Sequence, residues 1–120
     1  MVLYAGEAVR VRAVVSDLDT DGPLVIPQGE PAPTAELTIW KPGDNPIKDP
    51  AIRDTPEHGP ASMTWRPAES DFIIFVHTRG ADVTPDPAGA KWEPGRWTFR
   101  VKVEGNAFTN WEYGTFTLKA

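Results

Sequence analysis

The chain has 120 residues, a formal net charge of −5 and no cysteine. Its length predicts one domain over residues 1–120, and the absence of cysteine excludes disulfides, thiol catalysis and cysteine metal sites. The mild net negative charge argues against nucleic acid as a partner, because a protein needs a basic face to neutralise phosphates. Thirteen prolines and ten glycines among β-branched and aromatic runs indicate an all-β protein.

The first half of the chain alternates short strand patterns with proline-rich loops. Alternating apolar residues predict a strand over residues 9–15 with one solvated face, and residues 35–40 predict the next strand. Five prolines in residues 42–60 predict an irregular surface excursion, with a short helical turn near residues 50–53. A short strand over residues 62–66 is predicted after it.

The second half carries the strongest strand patterns. Residues 72–76 are all apolar, which predicts a strand covered on both faces or one whose outer face meets a partner. Strict alternation over residues 96–104 places Trp97 and Phe99 on the same face, and residues 111–118 predict a last strand with alternate residues inward. Together these elements predict an antiparallel two-sheet sandwich of about seven strands with long proline-rich loops. An acidic residue and a glycine before alternating aromatics are typical of a late strand in an immunoglobulin-like sandwich.

Asp17, Asp19 and Asp21 form the sharpest chemical motif, because oxygen ligands at alternate positions before a glycine are how a calcium loop begins. The twelfth position of such a loop requires a glutamate, and here it holds Gln28. The flanking segments predict a strand and a proline-rich loop instead of two helices. We therefore favour an acidic turn whose carboxylates accept hydrogen bonds from nearby backbone amides, and we predict no metal or other cofactor.

No arrangement of residues in the sequence indicates catalysis or a zinc site. His58 and His77 are the only histidines, and they lack the spacing of metal ligands. His58 lies in a segment rich in proline and glycine, and we expect its side chain to be exposed. None of the serines lies in a Gly-x-Ser-x-Gly context. We expect a protein that is not an enzyme.

Four stretches carry a family resemblance. They are residues 19–23 (DTDGP), 41–44 (KPGD), 93–101 (EPGRWTFRV) and 112–118 (EYGTFTL). In this order they resemble small immunoglobulin-like proteins encoded among the virion structural genes of tailed phages, especially phages of actinobacteria. The resemblance implies a non-enzymatic role as a capsid decoration protein or as a neck or tail component. It also implies major capsid or other virion proteins as partners, in many copies, and a location in the virion after synthesis in the host cytoplasm.

Aromatic and apolar residues away from the predicted core are the candidate binding residues, because such side chains anchor protein interfaces or stack on sugar rings. The predicted interface residues are Trp40, Ile47, Ile73, Phe75, Trp111 and Tyr113, and the predicted partner is a protein lattice. The alternative is a carbohydrate-binding or adhesion module of a bacterial surface or phage tail. That alternative requires a planar row of exposed aromatics, such as Trp40, Trp92 and Trp111. No membrane partner is predicted, since no apolar run approaches the roughly 20 residues that span a bilayer.

Overall fold

In the computed structural model, the described residues are 2–4, 8–14, 31–77, 92–105 and 108–119. They form eight strands and one short helix: β1 (Val2–Tyr4), β2 (Ala8–Val14), β3 (Thr34–Trp40), α1 (Pro50–Arg53), β4 (His58–Ser62), β5 (Thr64–Arg66), β6 (Asp71–His77), β7 (Gly95–Glu104) and β8 (Thr109–Lys119). The calcium-loop candidates Asp17, Asp19 and Asp21 lie outside the described residues.

The strands form two sheets. One has five strands in the order β1-β8-β7-β3-β4, and the other has three in the order β2-β6-β5. Neighbouring strands are antiparallel except for β1, which runs parallel to β8. Two mainly antiparallel sheets that enclose one core between them form a β-sandwich. The predicted all-β, two-sheet sandwich is confirmed.

The core lies between the two sheets, and alternate residues of β2, β6, β7 and β8 supply much of it. On β7 and β8 the largest inward side chains are Trp97 and Phe116, which are buried and stack with ring centroids 6.4 Å apart. From the three-stranded sheet, β6 contributes the buried Phe72 and Val76. Each side chain of this kind stabilises the fold by about 1.5–3 kcal/mol when fully buried. Alternation in the sequence therefore predicted correctly which residues of β7 and β8 form the core.

Two strands were not predicted. β1 has three residues, which is too short a stretch for a period of two to be detected, and it pairs with β8 at the other end of the chain. β4 contains Gly59 and Pro60, which usually mark turns, and it lies at the edge of the five-stranded sheet where proline is tolerated. Gly59 has a φ of +90°, and a Cβ there would lie 2.5 Å from the Leu37 carbonyl oxygen of β3. The close approach of β4 to β3 therefore requires glycine.

The excursion between β3 and β4, residues 41–57, is held by its own hydrogen bonds. Asp49 caps α1 by accepting a hydrogen bond from the Ala51 N–H at 3.0 Å, and Pro50 follows in the first turn. Arg53 donates to the Pro46 carbonyl oxygen at 2.8 Å, across the excursion. The predicted helical turn is confirmed, and the excursion has one defined path over the sheet.

Candidate functional site

The predicted interface residues do not form one surface. Trp40, Trp111 and Tyr113 lie on strands of the five-stranded sheet, and Ile47 lies in the excursion. Ile73 and Phe75 lie on the three-stranded sheet and alternate with side chains that point into the core. The two sets therefore belong to opposite outer faces of the sandwich, and one flat partner cannot contact both.

We call the outer surface of the three-stranded sheet the β2–β6 face. Its outward side chains include Arg10, Arg12, Val14, Thr64, Arg66, Asp71, Ile73 and Phe75. The strand register places Phe75 opposite Arg10 and Ile73 opposite Arg12, so apolar and cationic side chains interleave. Val14 is 59% exposed and Phe75 is 55% exposed. Large apolar side chains that remain exposed beside arginines are the composition expected of a protein-binding surface.

Asp71 holds one end of the β2–β6 face in place. Its carboxylate is fully buried and accepts hydrogen bonds from Arg66 Nε at 2.8 Å, from Arg66 Nη2 at 2.7 Å, and from Arg12 Nε. The hydrogen bonds from Arg66, and then those from Arg12, hold the pKa of the Asp71 carboxyl well below its ordinary value of 3.8, although burial acts in the opposite direction. The same contact raises the pKa of the Arg66 guanidinium. Asp71 therefore stays ionised and orients two arginines on the face.

Trp40 is not available to a partner, and the structure corrects its prediction as an interface residue. The side chain lies on the outer side of β3 and is nevertheless 0% exposed, because the excursion covers it. Its indole N–H donates to the Ile52 carbonyl oxygen at 2.7 Å. The Arg100 guanidinium lies 5.4 Å from the Trp40 ring centroid, and the Tyr113 ring lies 6.3 Å away. Trp40 thus packs beneath the surface against the excursion, Arg100 and Tyr113.

The planar row of exposed aromatics does not exist, since Trp92 is 8% exposed and Trp40 is covered, whereas Trp111 is 56% exposed. The Trp92 ring lies 4.6 Å from that of Trp97 and stacks on His58 at 4.0 Å. The expectation that His58 is exposed is wrong, because its side chain is buried in this aromatic cluster. The reason is that β4 extends the five-stranded sheet and carries His58 over the core.

The other predicted interface residues remain at least partly exposed to solvent. Ile47 and Trp111 are exposed on the side of the five-stranded sheet, and Tyr113 there is half-buried. On the β2–β6 face Phe75 is exposed and Ile73 is half-buried. Sequence reasoning did not select Val14, although an apolar residue at a solvated position of β2 was a usable signal.

A shallow cleft of about 600 Å³ opens on the outer side of the five-stranded sheet. The excursion forms its wall, and the paired strands β7 and β8 form its floor. It is lined by Gly43, Asp44, Asn45, Ile47, Arg96, Thr98, Tyr113, Gly114 and Thr115. Its polar groups are therefore a carboxylate, an amide, a guanidinium and several hydroxyls. Nothing in the sequence pattern brings the excursion and these strands together, so the cleft was not predicted.

Within the described ranges, no group of three or more His, Cys, Asp or Glu side chains is placed to hold a metal ion. The same ranges contain no helix with the length and apolar character needed to cross a membrane. Comparison of the chain with protein-family models, curated proteins and solved structures finds no match. The assignment of function therefore depends on the geometry of the two outer faces and on the motifs of the sequence.

Proposed function

We propose that this protein is a non-catalytic docking module that binds a protein lattice through the β2–β6 face, as an accessory or structural component of a tailed-phage virion. The observation that supports docking is the exposure of Val14 and Phe75, each more than half accessible, on a regular sheet surface. The virion setting is supported by the resemblance of residues 93–101 and 112–118 to phage virion proteins. Trp40 and Trp92 are buried, so the aromatic row that the carbohydrate-binding alternative required is not formed, and a sugar site on this chain would have to use other residues.

The charge of the β2–β6 face specifies the chemistry of the partner. Arg10, Arg12 and Arg66 are cationic, and among the described residues Asp71 and Glu69 compensate part of that charge. The whole chain has a net charge of −5, so this face is a cationic region on an acidic protein. It complements an apolar surface with an acidic rim on a capsid or tail protein. Complementary charge of this kind accelerates association and fixes the orientation of docking.

The face is also preorganised for binding. Asp71 holds the guanidinium groups of Arg12 and Arg66, and Phe75 and Ile73 stand on a paired strand. Side chains that are already ordered lose less conformational entropy when a partner binds. A few residues near the centre of an interface supply most of its binding free energy, and arginine is among the residue types enriched there.

The test is a reconstitution of phage particles that were assembled without this protein. The purified wild type or the double variant Ile73→Ser/Phe75→Ser is incubated with the particles, and the bound copies are counted after sedimentation. Because Phe75 is largely exposed and Ile73 is half-buried, the variant should stay folded by circular dichroism. Its occupancy at a fixed concentration should fall at least about tenfold, since hot-spot residues contribute about 2 kcal/mol or more each.

The matched control is Trp111→Ser, which removes an exposed apolar side chain from the opposite face and should leave occupancy unchanged. Equal occupancy of the double variant and the wild type would exclude the β2–β6 face. A wild type that does not bind particles would exclude the virion role. A dimer in sedimentation equilibrium that the double variant abolishes would make a second copy, not a lattice, the occupant. If the double variant unfolds, Phe75→Ser alone repeats the test at the more exposed position.

A further inference from the structure

The cleft on the five-stranded sheet is a preformed site on the side of the sandwich opposite the β2–β6 face. Its wall is fixed within the excursion, where the Asn45 side-chain oxygen accepts a hydrogen bond from the Ile47 N–H at 3.1 Å. Arg53 also donates to the Ile47 carbonyl oxygen at 3.0 Å. Its floor is the paired strands β7 and β8, with Thr98 opposite Thr115. The backbone of the wall and of the floor is therefore ordered before a ligand binds, which lowers the entropy lost on binding.

The lining groups restrict the class of ligand. Arg96 is an exposed donor and Asp44 is an acceptor, while the hydroxyls of Thr98 and Thr115 both donate and accept. The carboxylate of Asp44 opposes phosphate groups, and Ile47 is the single aliphatic side chain larger than threonine in the lining. The arrangement is suited to an uncharged molecule with many hydroxyls, and not to a nucleotide or a fully apolar compound. Its volume of about 600 Å³ lies within the usual range of small-ligand sites.

An extended peptide fits this floor less well than a sugar does. β7 lies between β8 and β3, whereas β1 pairs with β8 only at residues 117–119. A peptide that adds a further strand would lie beside β8 in the plane of the sheet, and not over the outer face where the side chains line the cleft. A sugar is recognised by side chains and needs no sheet edge.

Aromatic side chains continue the cleft along β8. Tyr113 lines it, and Trp40 supports the Tyr113 ring from beneath at 6.3 Å. Trp111 precedes Tyr113 by two residues, so it stands on the same face, about 7 Å along the strand. Trp111 is more than half exposed. Flat aromatic rings with a polar edge pack against the C–H faces of sugar rings while leaving the hydroxyls accessible.

From these observations we propose that the cleft binds one sugar unit of a neutral glycan. Arg96 and Asp44 hydrogen-bond its hydroxyl groups, and the next unit of the chain stacks on Trp111. This site goes beyond the docking function and does not rest on it, because the two sites use opposite faces and share no residue. A protein with both sites links a protein assembly on one side to a polysaccharide on the other.

Binding is tested with the full chain on a printed glycan array, and with maltohexaose, cellohexaose and chitohexaose titrated into ¹⁵N-labelled protein. At least one neutral glycan should bind and shift the backbone amides of Asp44, Thr98 and Thr115 in a saturable manner. Arg96→Ala should weaken that binding about tenfold or more, because it removes a charged hydrogen-bond donor. Phe75→Ser, on the β2–β6 face, is the matched control and should bind as the wild type does.

Three results would overturn the proposal. The first is that no neutral glycan binds on the array or in the titrations. The second is that the shifted amides lie outside the cleft, or that Arg96→Ala leaves the affinity unchanged. The third is a preference for anionic glycans such as heparin. Thr115→Val keeps the shape of the side chain and removes its hydroxyl, so it repeats the test if Arg96→Ala does not fold. Failure here leaves the particle-binding result with the Ile73 and Phe75 variants unaffected.

Discussion

Trp40 and Trp111 allow a direct comparison of a covered and an uncovered tryptophan on the same sheet. Both side chains lie on the outer side, but the excursion buries Trp40 and leaves Trp111 56% exposed. We predict that Trp40→Phe destabilises the protein strongly and that Trp111→Phe leaves its stability almost unchanged. The comparison is matched because the chemical substitution is identical.

The expected magnitude follows from the contacts of Trp40. The substitution removes the indole N–H that donates to the Ile52 carbonyl oxygen at 2.7 Å, a loss of about 1 kcal/mol. The smaller ring also leaves space beneath the excursion, which costs about 1–2 kcal/mol more. The interaction of Arg100 with the ring persists with phenylalanine. The free energy of unfolding should therefore fall by about 2–3 kcal/mol, compared with a change within about 0.5 kcal/mol for Trp111→Phe.

The assay is urea unfolding followed by far-ultraviolet circular dichroism, which does not depend on tryptophan emission. With a denaturant slope of about 2 kcal/mol per molar, the midpoint for Trp40→Phe should fall by about 1 M or more. Because Trp40 is covered, particle occupancy of the folded variant should equal that of the wild type. Equal midpoints for the two tryptophan variants would refute the assignment of Trp40 as the support of the excursion.

Two further predictions concern the backbone of β4 and the ion pair of the β2–β6 face. Gly59→Ala and Gly43→Ala both place a side chain at a φ near +90°, but only at Gly59 does the new Cβ meet another strand, at 2.5 Å from the Leu37 carbonyl oxygen. Gly43→Ala should lower the free energy of unfolding by about 1–2 kcal/mol because of backbone strain. Gly59→Ala should lower it by about 1–3 kcal/mol more. Equal urea midpoints for the two variants would contradict the close approach of β4 to β3. Asp71→Asn should lower the urea midpoint at pH 7, because the folded state holds the carboxyl pKa below 3.8 and the stabilisation is complete above that pH. This stabilisation is lost as the pH falls through 3.8 towards the folded-state pKa, so the urea midpoints of the wild type and of Asp71→Asn should converge in acid. A difference between the two midpoints that stays constant from pH 7 to pH 2 would show that ionisation of Asp71 plays no part.

The local pattern of apolar and polar residues was sufficient to predict most of the fold. The strict alternation of residues 96–104 predicted a strand and the inward position of Trp97, since a period of two is a property of neighbouring residues only. The apolar run of residues 72–76 predicted a strand with an unusual outer face, and Phe75 is exposed there. Where the pattern failed, as at β4, glycine and proline occupied a sheet edge that sequence alone does not distinguish from a turn.

The amino-acid sequence by itself determined the class of fold, the main strands and which residues of those strands face the core. Only the tertiary structure decided which outward side chains remain accessible. Trp40 and Trp111 have the same orientation on their sheet, and the path of the excursion covers one and leaves the other exposed. The separation of Phe75 from Trp111 onto opposite faces, and the cleft beside Arg96, arise in the same way. Exposure depends on contacts between segments far apart in the chain, and a local period contains no information about those contacts.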